Sequence, residues 1–252
     1  MHVAITGASV GIGEAMARAW AAKGASLTLI ARRKDKLDAL AKELGPNVYV
    51  HELDLSDSDR ATEWIVPAEK ALGPIDVIIN NAGVQHVEKT ELAKPEEGEK
   101  LLRLNVFSPL RIVHALLPGM ITRKSGTIVD VASMCAITPM PGMYYYNASK
   151  GALACASEGL RGELRGTGVH IVTVYPGPVA TDMGTSGLAK YESTWASRLS
   201  PMGNSEALAK LVVRAVEKKK ARVVYPRSLE SAMLFPRLAR WVTAMFTPPL
   251  KR

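Results

Sequence analysis

The sequence predicts an α/β protein built on a doubly wound, parallel sheet of about seven strands with helices on both faces. Short apolar runs rich in β-branched residues alternate along the chain with segments of helical periodicity. These runs lack the polar and apolar alternation that marks a strand with one exposed face. The composition, 47% hydrophobic and 22% charged over 252 residues, is typical of a chain with a substantial core.

The predicted elements follow one another in strand and helix order. The seven predicted strands are residues 2–6, 26–31, 48–50, 76–80, 126–131, 169–175 and 222–225. The clearest helical periodicity is found in residues 12–22, 34–44, 56–72, 97–117 and 147–166. Right-handed crossovers place such helices on both faces of a parallel sheet, and ligands then bind at the carboxyl ends of the strands.

We expect one catalytic domain, residues 1–225, followed by a basic, amphipathic extension, residues 226–252. The chain shows no internal repeat, low-complexity block or linker before residue 226. No basic and apolar leader precedes the first strand, and Cys135 and Cys155 lack the spacing of a disulfide framework or a zinc site. These features predict a cytoplasmic protein without a metal site.

The positive charge is concentrated at the C-terminus. Residues 218–252 carry nine of the 32 Lys and Arg residues but a single one of the 24 acidic residues. The net charge of +8 therefore belongs to this tail, and the rest of the chain is neutral. The body shows no basic stripe interleaved with aromatic residues, so we expect no nucleic-acid partner.

The first predicted strand ends in a glycine-rich turn, TGASVGIG at residues 6–13, that leads directly into a helix. Gly7, Gly11 and Gly13 allow the backbone to turn tightly and to approach a pyrophosphate, and the helix N-terminus favours an anion. The spacing differs from the common GxGxxG fingerprint. The alternative is a tight connection between strand and helix that binds no ligand.

The second predicted strand is followed by Arg32 and Arg33. A protein that binds NAD commonly has an acid here to accept hydrogen bonds from the ribose hydroxyls. Arginine instead pairs with the 2′-phosphate of NADP, which a carboxylate repels. We therefore expect NADP(H) to be preferred, with NAD(H) as the second cofactor. The alternative is two solvated arginines at the start of a helix.

Small and polar residues also follow the third and fourth predicted strands. Asp54 and Leu55 follow the third strand, and Asn81, Ala82 and Gly83 follow the fourth. Because these strand ends meet at one edge of the sheet, we expect the residues to border the dinucleotide. Aspartate, asparagine and glycine also favour turns in the absence of any ligand.

Tyr146 and Lys150 lie four residues apart in a predicted helix that follows the fifth strand and Ser133. This spacing places the phenol and the ammonium on one helix face, and a nearby ammonium stabilises a phenolate. We expect the pKa of Tyr146 to be lowered, so that the phenol exchanges a proton with a substrate oxygen near neutral pH. Tyr144 and Tyr145 do not have this four-residue spacing to Lys150. The alternative is an ordinary surface pair.

The motifs together resemble those of the short-chain dehydrogenase/reductase family over residues 1 to about 225. They are TGASVGIG, NNAG at residues 80–83, Asn105, Ser133, YNASK at residues 146–150 and Pro176–Gly177. The resemblance implies a Rossmann-like fold. It also implies an oxidoreductase that interconverts a carbonyl and a primary or secondary alcohol by hydride transfer.

The resemblance implies roles for individual residues. Ser133 hydrogen-bonds the substrate oxygen, Tyr146 transfers the proton, Lys150 holds the nicotinamide ribose and acidifies Tyr146, and Asn105 supports a water relay to Lys150. Asn105, Tyr146 and Lys150 are also expected to contact the cofactor. Further contacts are Gly7, Ser9, Ile12 and Gly13 at the phosphates, Asp54 at the adenine, and Pro176, Gly177, Val179 and Thr181 around the nicotinamide.

Some of these positions also have ordinary structural roles open to them, and one departs from the family pattern. Asn105 can cap a helix bend, Ser133 can close a turn and Thr181 can N-cap the next helix. Val10 stands where some NADP-preferring relatives have a basic residue. Selectivity against NAD therefore rests on the two arginines after the second strand.

By the same resemblance, the loops after the fourth, fifth and sixth strands line the substrate site. The lining is predicted to be apolar and adaptable, which favours a hydrophobic ketone, aldehyde or 3-oxoacyl substrate. The expected lining residues are Gln85, His86, Met134, Ile137, Met140, Met143, Met183, Leu188 and Trp195. The alternative is that most of the methionines fill the core.

The C-terminal extension contains a predicted amphipathic helix. Apolar residues at 234, 238, 241, 242 and 245 follow helical spacing, while Arg237 and Arg240 fall elsewhere on the helix. Pro236 suits its first turn, and Pro248 and Pro249 end it before it is long enough to span a bilayer. We expect it to pack on the body or on a partner subunit. The alternative is peripheral contact with anionic lipid at the inner face of a membrane.

The sequence thus favours an NADP(H)-dependent reductase. An alternative of another class is a redox-inactive sensor or scaffold that only binds a dinucleotide. The complete set of Asn105, Ser133, Tyr146 and Lys150 favours an enzyme, because a binding protein needs no proton relay. A sugar-nucleotide epimerase fits poorly without a large C-terminal substrate domain. By resemblance, helices near residues 97–117 and 147–166 predict a homodimer or homotetramer.

Overall fold

The structure is a computed structural model that describes residues 1–193 and 202–251. It confirms the predicted fold class, because seven parallel strands form one sheet in the order β3-β2-β1-β4-β5-β6-β7. The strands are β1 His2–Thr6, β2 Ser26–Ala31, β3 Val48–Glu52, β4 Val77–Asn80, β5 Gly126–Val131, β6 Val169–Pro176 and β7 Arg222–Tyr225. The strand order reverses between β1 and β4, where open α/β sheets form their binding crevice.

Helices connect the strands and cover both faces of the sheet. They are α1 Gly11–Ala21, α2 Lys34–Leu44, α3 Ile65–Leu72, α4 Pro95–Leu102, α5 Ser108–Thr122, α6 Tyr144–Glu163, α7 Asp182–Leu188, α8 Ser205–Glu217, α9 Glu230–Leu234 and α10 Pro236–Phe246. Most predicted helices are confirmed within a few residues. Those predicted over residues 56–72 and 97–117 differ from the structure.

The helix predicted over residues 56–72 is wrong in its first half. The structure has a short 3-10 turn at Ser58–Arg60, and α3 begins only at Ile65. Pro67 explains the late start, because proline lacks an N–H group and its ring clashes with the carbonyl four residues earlier. Starting at Ile65 places Pro67 in the first turn, where neither defect matters.

The helix predicted over residues 97–117 is interrupted by a π-helical turn at Arg103–Phe107 between α4 and α5. Pro109 lies one turn further on and lacks an N–H group. In an α-helix, the carbonyl of Asn105 would accept a hydrogen bond from the N–H group at position 109, so proline leaves that carbonyl without its usual partner. The wider turn accommodates the proline. It also contains Asn105, whose side chain is fully buried.

Two hydrophobic cores lie on opposite faces of the sheet. On one face, α1 and α8 pack Trp20 and Val212 against strand residues such as Ile5 and Val129. On the other face, α5 packs against the strand residues whose side chains point to that face. The apolar residues of that second core are Ala4, Ile30, Ile78, Ile128, Ile171, Trp64, Ile112, Leu116 and Met120. Burial on both faces explains the continuous apolar runs in the sequence.

The continuous helical run Pro95–Thr122 is long and apolar enough to cross a membrane by length and composition, and half of its most apolar window is buried. The buried residues include Leu104, Ile112 and Leu116, which pack in the second core. Packing against the sheet therefore accounts for the apolar character of this run.

The C-terminal extension begins directly after β7 and stays in contact with the body. Leu229 and Met233 pack against a small apolar cluster that includes Ala132 and Met134. Beyond α10, Leu250 forms an isolated antiparallel bridge with Tyr191. Residues 226–251 therefore wrap the edge of the sheet near the carboxyl ends of β5 and β6.

The tight turn before β6 gives a test of the fold. Gly166 and Gly168 both have positive φ, at 80° and 84°, but only a Cβ at Gly168 would clash, at 2.1 Å from the carbonyl oxygen of Lys124. We expect Gly166→Ala to lower the free energy of unfolding by about 1 kcal/mol through backbone strain alone. Gly168→Ala adds an overpacking penalty of about 1–3 kcal/mol. Urea unfolding of the two variants measures the difference, and equal losses contradict the described contact.

Candidate active site

The glycine-rich turn after β1 packs tightly against the loop after β4. A Cβ at Gly7 would be 2.8 Å from Cα of Ala82, and a Cβ at Gly13 would be 2.3 Å from the carbonyl oxygen of Gly7. The Thr6 hydroxyl accepts hydrogen bonds from the backbone N–H groups of Asn81 and Ala82, both at 3.0 Å. The turn and the loop therefore form one rigid unit at the switch point of the sheet.

The first turn of α1 leaves its N–H groups open to an anion. Val10 precedes α1 in an extended conformation and gives no side-chain cap. Thr181 caps α7 and Asn204 caps α8 with side-chain oxygens, whereas α2 to α6 begin without such a cap, as α1 does. Uncapped N–H groups at a helix N-terminus bind phosphate. This geometry fits the pyrophosphate predicted at the turn.

The two arginines after β2 lie beside the same turn. The guanidinium of Arg33 donates a hydrogen bond of 3.1 Å to the Ser9 hydroxyl. The guanidinium of Arg32 lies 3.8 Å from the Asp54 carboxylate, and both side chains are exposed. Burial tends to raise the pKa of Asp54, but hydrogen bonds from Ser56 and the charge of Arg32 hold it below its usual value. Arg33 thus contacts the turn on its β2 side, and Arg32 lies beside Asp54 at the end of β3.

Several other predicted cofactor residues have structural contacts of their own. The Leu55 side chain is buried in the second core, and its carbonyl accepts a hydrogen bond from Ser108. The Val179 side chain is buried in the first core. The Thr181 hydroxyl accepts a hydrogen bond of 3.2 Å from Gly184, so it caps α7, and the threonine methyl group faces Gly11.

The loop after β6 continues the crevice beyond the glycine turn. Pro176 ends β6, and Gly177 donates a backbone hydrogen bond of 2.7 Å to Tyr225. A Cβ at Gly177 would be 2.4 Å from Cδ1 of Leu229, so the start of the C-terminal extension packs closely on this loop. The predicted nicotinamide residues thus lie where the extension meets the body.

Tyr146 and Lys150 lie together on α6 and are buried. The Lys150 ammonium is 5.8 Å from the centroid of the Tyr146 ring. The ammonium donates a hydrogen bond of 2.8 Å to the carbonyl of Val131 at the end of β5. A Cβ at Gly83 would be 3.5 Å from the same nitrogen. Lys150 therefore lies between the tyrosine ring and the loop that packs on the glycine turn.

Burial controls the ionisation of this pair. Burial raises the pKa of Tyr146 well above its usual value, the nearby Cys135 thiol adds to the effect, and a hydrogen bond with Ser133 opposes it. The lowered pKa predicted for Tyr146 is therefore not found. The physical reason is that the lysine ammonium is directed to a carbonyl oxygen, while burial disfavours the phenolate. Burial also lowers the pKa of Lys150 to about 8, with Asp130 and Cys135 opposing the shift.

Asn105 joins the loop after β4 to α6. Its amide oxygen accepts a hydrogen bond of 2.9 Å from the Val84 backbone. Its amide nitrogen donates to the Val84 carbonyl at 2.9 Å and to the Ser149 hydroxyl at 3.1 Å. Ser149 in turn donates to the Tyr146 carbonyl at 2.8 Å. These bonds fix the register between the tyrosine and the glycine turn.

Ser133 lies at the end of β5 beside Tyr146. Its hydroxyl accepts a hydrogen bond of 3.1 Å from the Cys135 backbone, which makes Ser133 the N-cap of a short 3-10 turn. The hydroxyl also lies 3.5 Å from the Pro176 carbonyl oxygen. The serine is thus both a turn residue and a neighbour of the tyrosine, so the two roles considered from the sequence are compatible.

The predicted substrate residues do not form one continuous lining. Met140 and Met143 pack in the apolar cluster around Tyr146, whereas Met134 packs with Ala132 and Tyr175 in a separate cluster. Ile137 lies against that second cluster. On α7, Met183 is exposed and Leu188 is half-buried. The Gln85 amide lies against Gly187 of the same helix. The His86 ring is 3.7 Å from the Glu97 carboxylate. Trp195 lies outside the described residues.

The structure adds site residues that the sequence did not indicate. Tyr191 and Leu250 pack in the cluster around Tyr146, and the Tyr191 hydroxyl donates a hydrogen bond of 2.7 Å to the Pro141 carbonyl. Asp130 on β5 is buried, accepts a hydrogen bond of 2.8 Å from Asn80, and has its pKa raised by burial. An acid within an apolar strand was a visible signal for Asp130. Leu250 gave no local signal.

In the described ranges, 1–193 and 202–251, no three side chains of His, Cys, Asp or Glu come together as metal ligands. The site instead combines an uncapped helix N-terminus, two cations and a buried tyrosine–lysine pair at the carboxyl ends of parallel strands. This arrangement defines a Rossmann-like α/β protein with its functional groups at the switch point of the sheet.

Comparison with known proteins identifies the family. The family model for short chain dehydrogenase matches residues 1–192. A short chain dehydrogenase of Pseudocercospora fijiensis is 37% identical over 186 residues, which are 71% of this chain and 60% of that protein. A fatty acyl-CoA reductase of Mycobacterium tuberculosis is 36% identical over 188 residues, which are 72% of this chain and 64% of that protein. The chain thus spans less than two thirds of the length of both relatives.

Solved structures agree with this result. A short-chain dehydrogenase from Sphingobium yanoikuyae in complex with NADPH has a TM-score of 0.82 and 25% sequence identity, over 100% of this chain and 97% of that one. The chain belongs to the short-chain dehydrogenase/reductase family.

The lowered pKa of Lys150 predicts a pH dependence of stability in the protein without cofactor. Below pH 8 the folded protein carries a buried ammonium, while between its folded pKa of about 8 and the free value of about 10.4 only the unfolded chain keeps the proton. Stability therefore rises with pH over this window. Relative to Lys150→Met, the wild-type protein should gain about 2 kcal/mol between pH 7 and pH 10. Urea unfolding at both pH values measures this, and a constant difference contradicts it.

Proposed function

We propose that this protein is an NADP(H)-dependent oxidoreductase that interconverts a carbonyl and an alcohol, with Tyr146 as the acid and base. The observation that carries the proposal is the position of Lys150. Its ammonium lies 5.8 Å from the Tyr146 ring centroid and borders Gly83, in the loop that packs on the glycine turn. The buried Lys150 ammonium thus lies beside both the proposed proton donor, Tyr146, and the proposed dinucleotide site.

The residues around the turn fit a dinucleotide phosphate. The open N–H groups of α1 suit the pyrophosphate, and a further anion suits Arg32 and Arg33. We assign the 2′-phosphate of NADP to these arginines and the nicotinamide ribose to Lys150. When bound, the cofactor supplies or accepts the hydride. The complex of the Sphingobium yanoikuyae neighbour with NADPH supports this choice.

The ionisation state of Tyr146 suits carbonyl reduction. Its raised pKa keeps the phenol protonated at neutral pH, so the group is ready to donate a proton to an oxygen on which negative charge develops. We assign Ser133 as the second hydrogen-bond donor to that oxygen, because it lies beside the tyrosine at the end of β5. The reverse reaction needs the phenolate, which burial of Tyr146 disfavours.

The substrate we propose is apolar. The wall beside Tyr146 contains Met140, Met143, Tyr191 and Leu250 and offers mostly hydrocarbon and sulfur surface. Flexible methionines adapt to apolar chains of different shape. The name of the Mycobacterium tuberculosis relative, a fatty acyl-CoA reductase, also supports a hydrophobic or acyl-type carbonyl compound.

We also propose that the protein is a homo-oligomer that uses α5. Leu110 and Ile121 on this helix, and Phe107 in the π-helical turn before it, are exposed. Large apolar side chains on the outer side of a core helix are typical of a subunit interface. A homodimer or homotetramer of this kind stays a prediction.

Replacing Tyr146 tests the proposed mechanism. We expect Tyr146→Phe to reduce turnover of apolar carbonyl compounds by about 10²–10⁴-fold, because the proton donor is lost, while NADPH binding changes little. The exposed neighbour Tyr144→Phe is the matched control and keeps full turnover. NADPH oxidation over a graded series of ketones and aldehydes gives the rates, and fluorescence titration gives the affinity.

Retained turnover in Tyr146→Phe excludes this mechanism. Tight NADPH binding without turnover of any compound by the wild-type protein instead indicates the redox-inactive binding protein.

Replacing Arg33 tests the cofactor preference. We expect Arg33→Ala to raise the Kd of NADPH by about 10–100-fold, the effect of removing one charged hydrogen bond, and to leave the Kd of NADH nearly unchanged. Lys36→Ala removes the same charge from an exposed position further along α2 and serves as the control. If both cofactors weaken equally in Arg33→Ala, the arginine does not bind the 2′-phosphate.

A further inference from the structure

The apolar side of α10 faces away from the protein. Leu238, Trp241, Val242 and Met245 on this side are between 42% and 60% exposed. The opposite side rests on the body, where Ala239 and Thr243 are half-buried and Arg240 donates a hydrogen bond of 2.9 Å to the Ile137 carbonyl. The helix therefore packs on the body through small side chains and one arginine, and leaves its large apolar side chains exposed.

This orientation contradicts one expectation drawn from the sequence. A helix that packs on its own body buries its apolar stripe. Residues 238, 241, 242 and 245 recur at intervals of three and four, so they form one continuous stripe. No residue of α10 is fully buried in the part of the chain that the structure describes. Packing of this stripe on the body of the same chain is therefore excluded for the described residues.

Cations border the exposed stripe, and the sequence contains no acid after Glu230. Arg237 and Arg240 lie on α10, and the exposed Lys251 follows it. In a twofold contact between two copies of α10, each patch meets its own copy, so these cations approach one another and repel. A surface of anionic lipid headgroups complements them instead. Charge thus favours lipid over a second copy.

The dimensions of α10 suit a position in the plane of a membrane surface. Its 11 residues extend over roughly 16 Å, about half of the 30 Å of a bilayer core. Trp241 lies in the middle of the stripe, and tryptophan prefers the boundary between headgroups and hydrocarbon. Apolar residues on one side with basic residues beside them are the pattern of an interfacial helix.

We propose that α10 is a lipid-docking helix that binds the protein to an anionic membrane surface through Leu238, Trp241, Val242 and Met245. Arg237 and Lys251 provide the electrostatic attraction to the headgroups. The binding step depends on none of the proposed redox chemistry. It goes beyond that function because it assigns a surface and a partner to the C-terminal extension.

The docking helix is linked to the candidate active site through Arg240 in its middle and through the segment that follows it. Arg240 bonds to Ile137 in the segment that follows Ser133. After α10, Lys251 donates a backbone hydrogen bond of 2.9 Å to Lys190, and the Leu250 side chain packs beside Gly142 in the cluster around Tyr146. Docking through α10 therefore holds the apolar wall of the site close to the lipid, where hydrophobic carbonyl compounds dissolve.

Vesicle flotation of the full chain tests the proposal. We expect the wild-type protein to float with vesicles of phosphatidylcholine and phosphatidylglycerol, and about tenfold less with pure phosphatidylcholine or in high salt. Leu238→Glu/Met245→Glu should reduce flotation at least about tenfold, because it places two charges in the apolar stripe. Val66→Glu/Leu92→Glu changes two exposed apolar residues elsewhere and should float like the wild-type protein.

Two further measurements distinguish lipid binding from unfolding and from self-association. The thermal unfolding midpoint of each variant shows that it is folded, and light scattering without lipid gives the oligomeric state. A third variant, Arg237→Gln/Lys251→Gln, tests the charge contribution without altering the stripe. The proposal is overturned if the wild-type protein stays in solution with anionic vesicles, or if both double glutamate variants bind equally. It is also overturned if the stripe variant changes only the oligomeric state, which identifies a second copy as the occupant.

Discussion

The close packing of the glycine turn on the loop after β4 is the constraint on which the candidate active site depends. At Gly13 a Cβ would lie 2.3 Å from the Gly7 carbonyl oxygen, so a larger residue forces the turn and helix α1 apart. The loop held in this way continues to Gly83 and Val84. Asn105 binds both backbone groups of Val84 and then Ser149 on α6. A short chain of direct contacts therefore sets the distance between the dinucleotide turn and the tyrosine.

Burial of ionisable groups is the second determinant of the site. Desolvation raises the pKa of Tyr146 and lowers that of Lys150, because a buried environment disfavours the charged form of each. At neutral pH the phenol is protonated and the amine is mostly an ammonium, so both groups hold a proton. Asp130, also buried, has a raised pKa and interacts electrostatically with the same lysine. Asp130 and Lys150 thus influence each other's ionisation.

The C-terminal extension is part of the site and not a separate appendage. It packs on the loop after β6 through Leu229, on the segment after Ser133 through Arg240, and on the tyrosine cluster through Leu250. Between these contacts α10 leaves its apolar stripe in solvent. The extension thus contacts the body before and after the stripe without covering it.

The sequence by itself determined the strands, most helices and the order of the site motifs. Buried parallel strands, a glycine turn and an i, i+4 pair are local patterns whose geometry follows from chain chemistry. Tertiary structure alone decided the direction of the Tyr146 pKa shift, because desolvation depends on everything packed around a group. It also decided that Leu250 reaches the tyrosine cluster and that the stripe of α10 points outward. Helical periodicity identifies an apolar side, but only neighbouring elements, distant in sequence, decide which way that side faces.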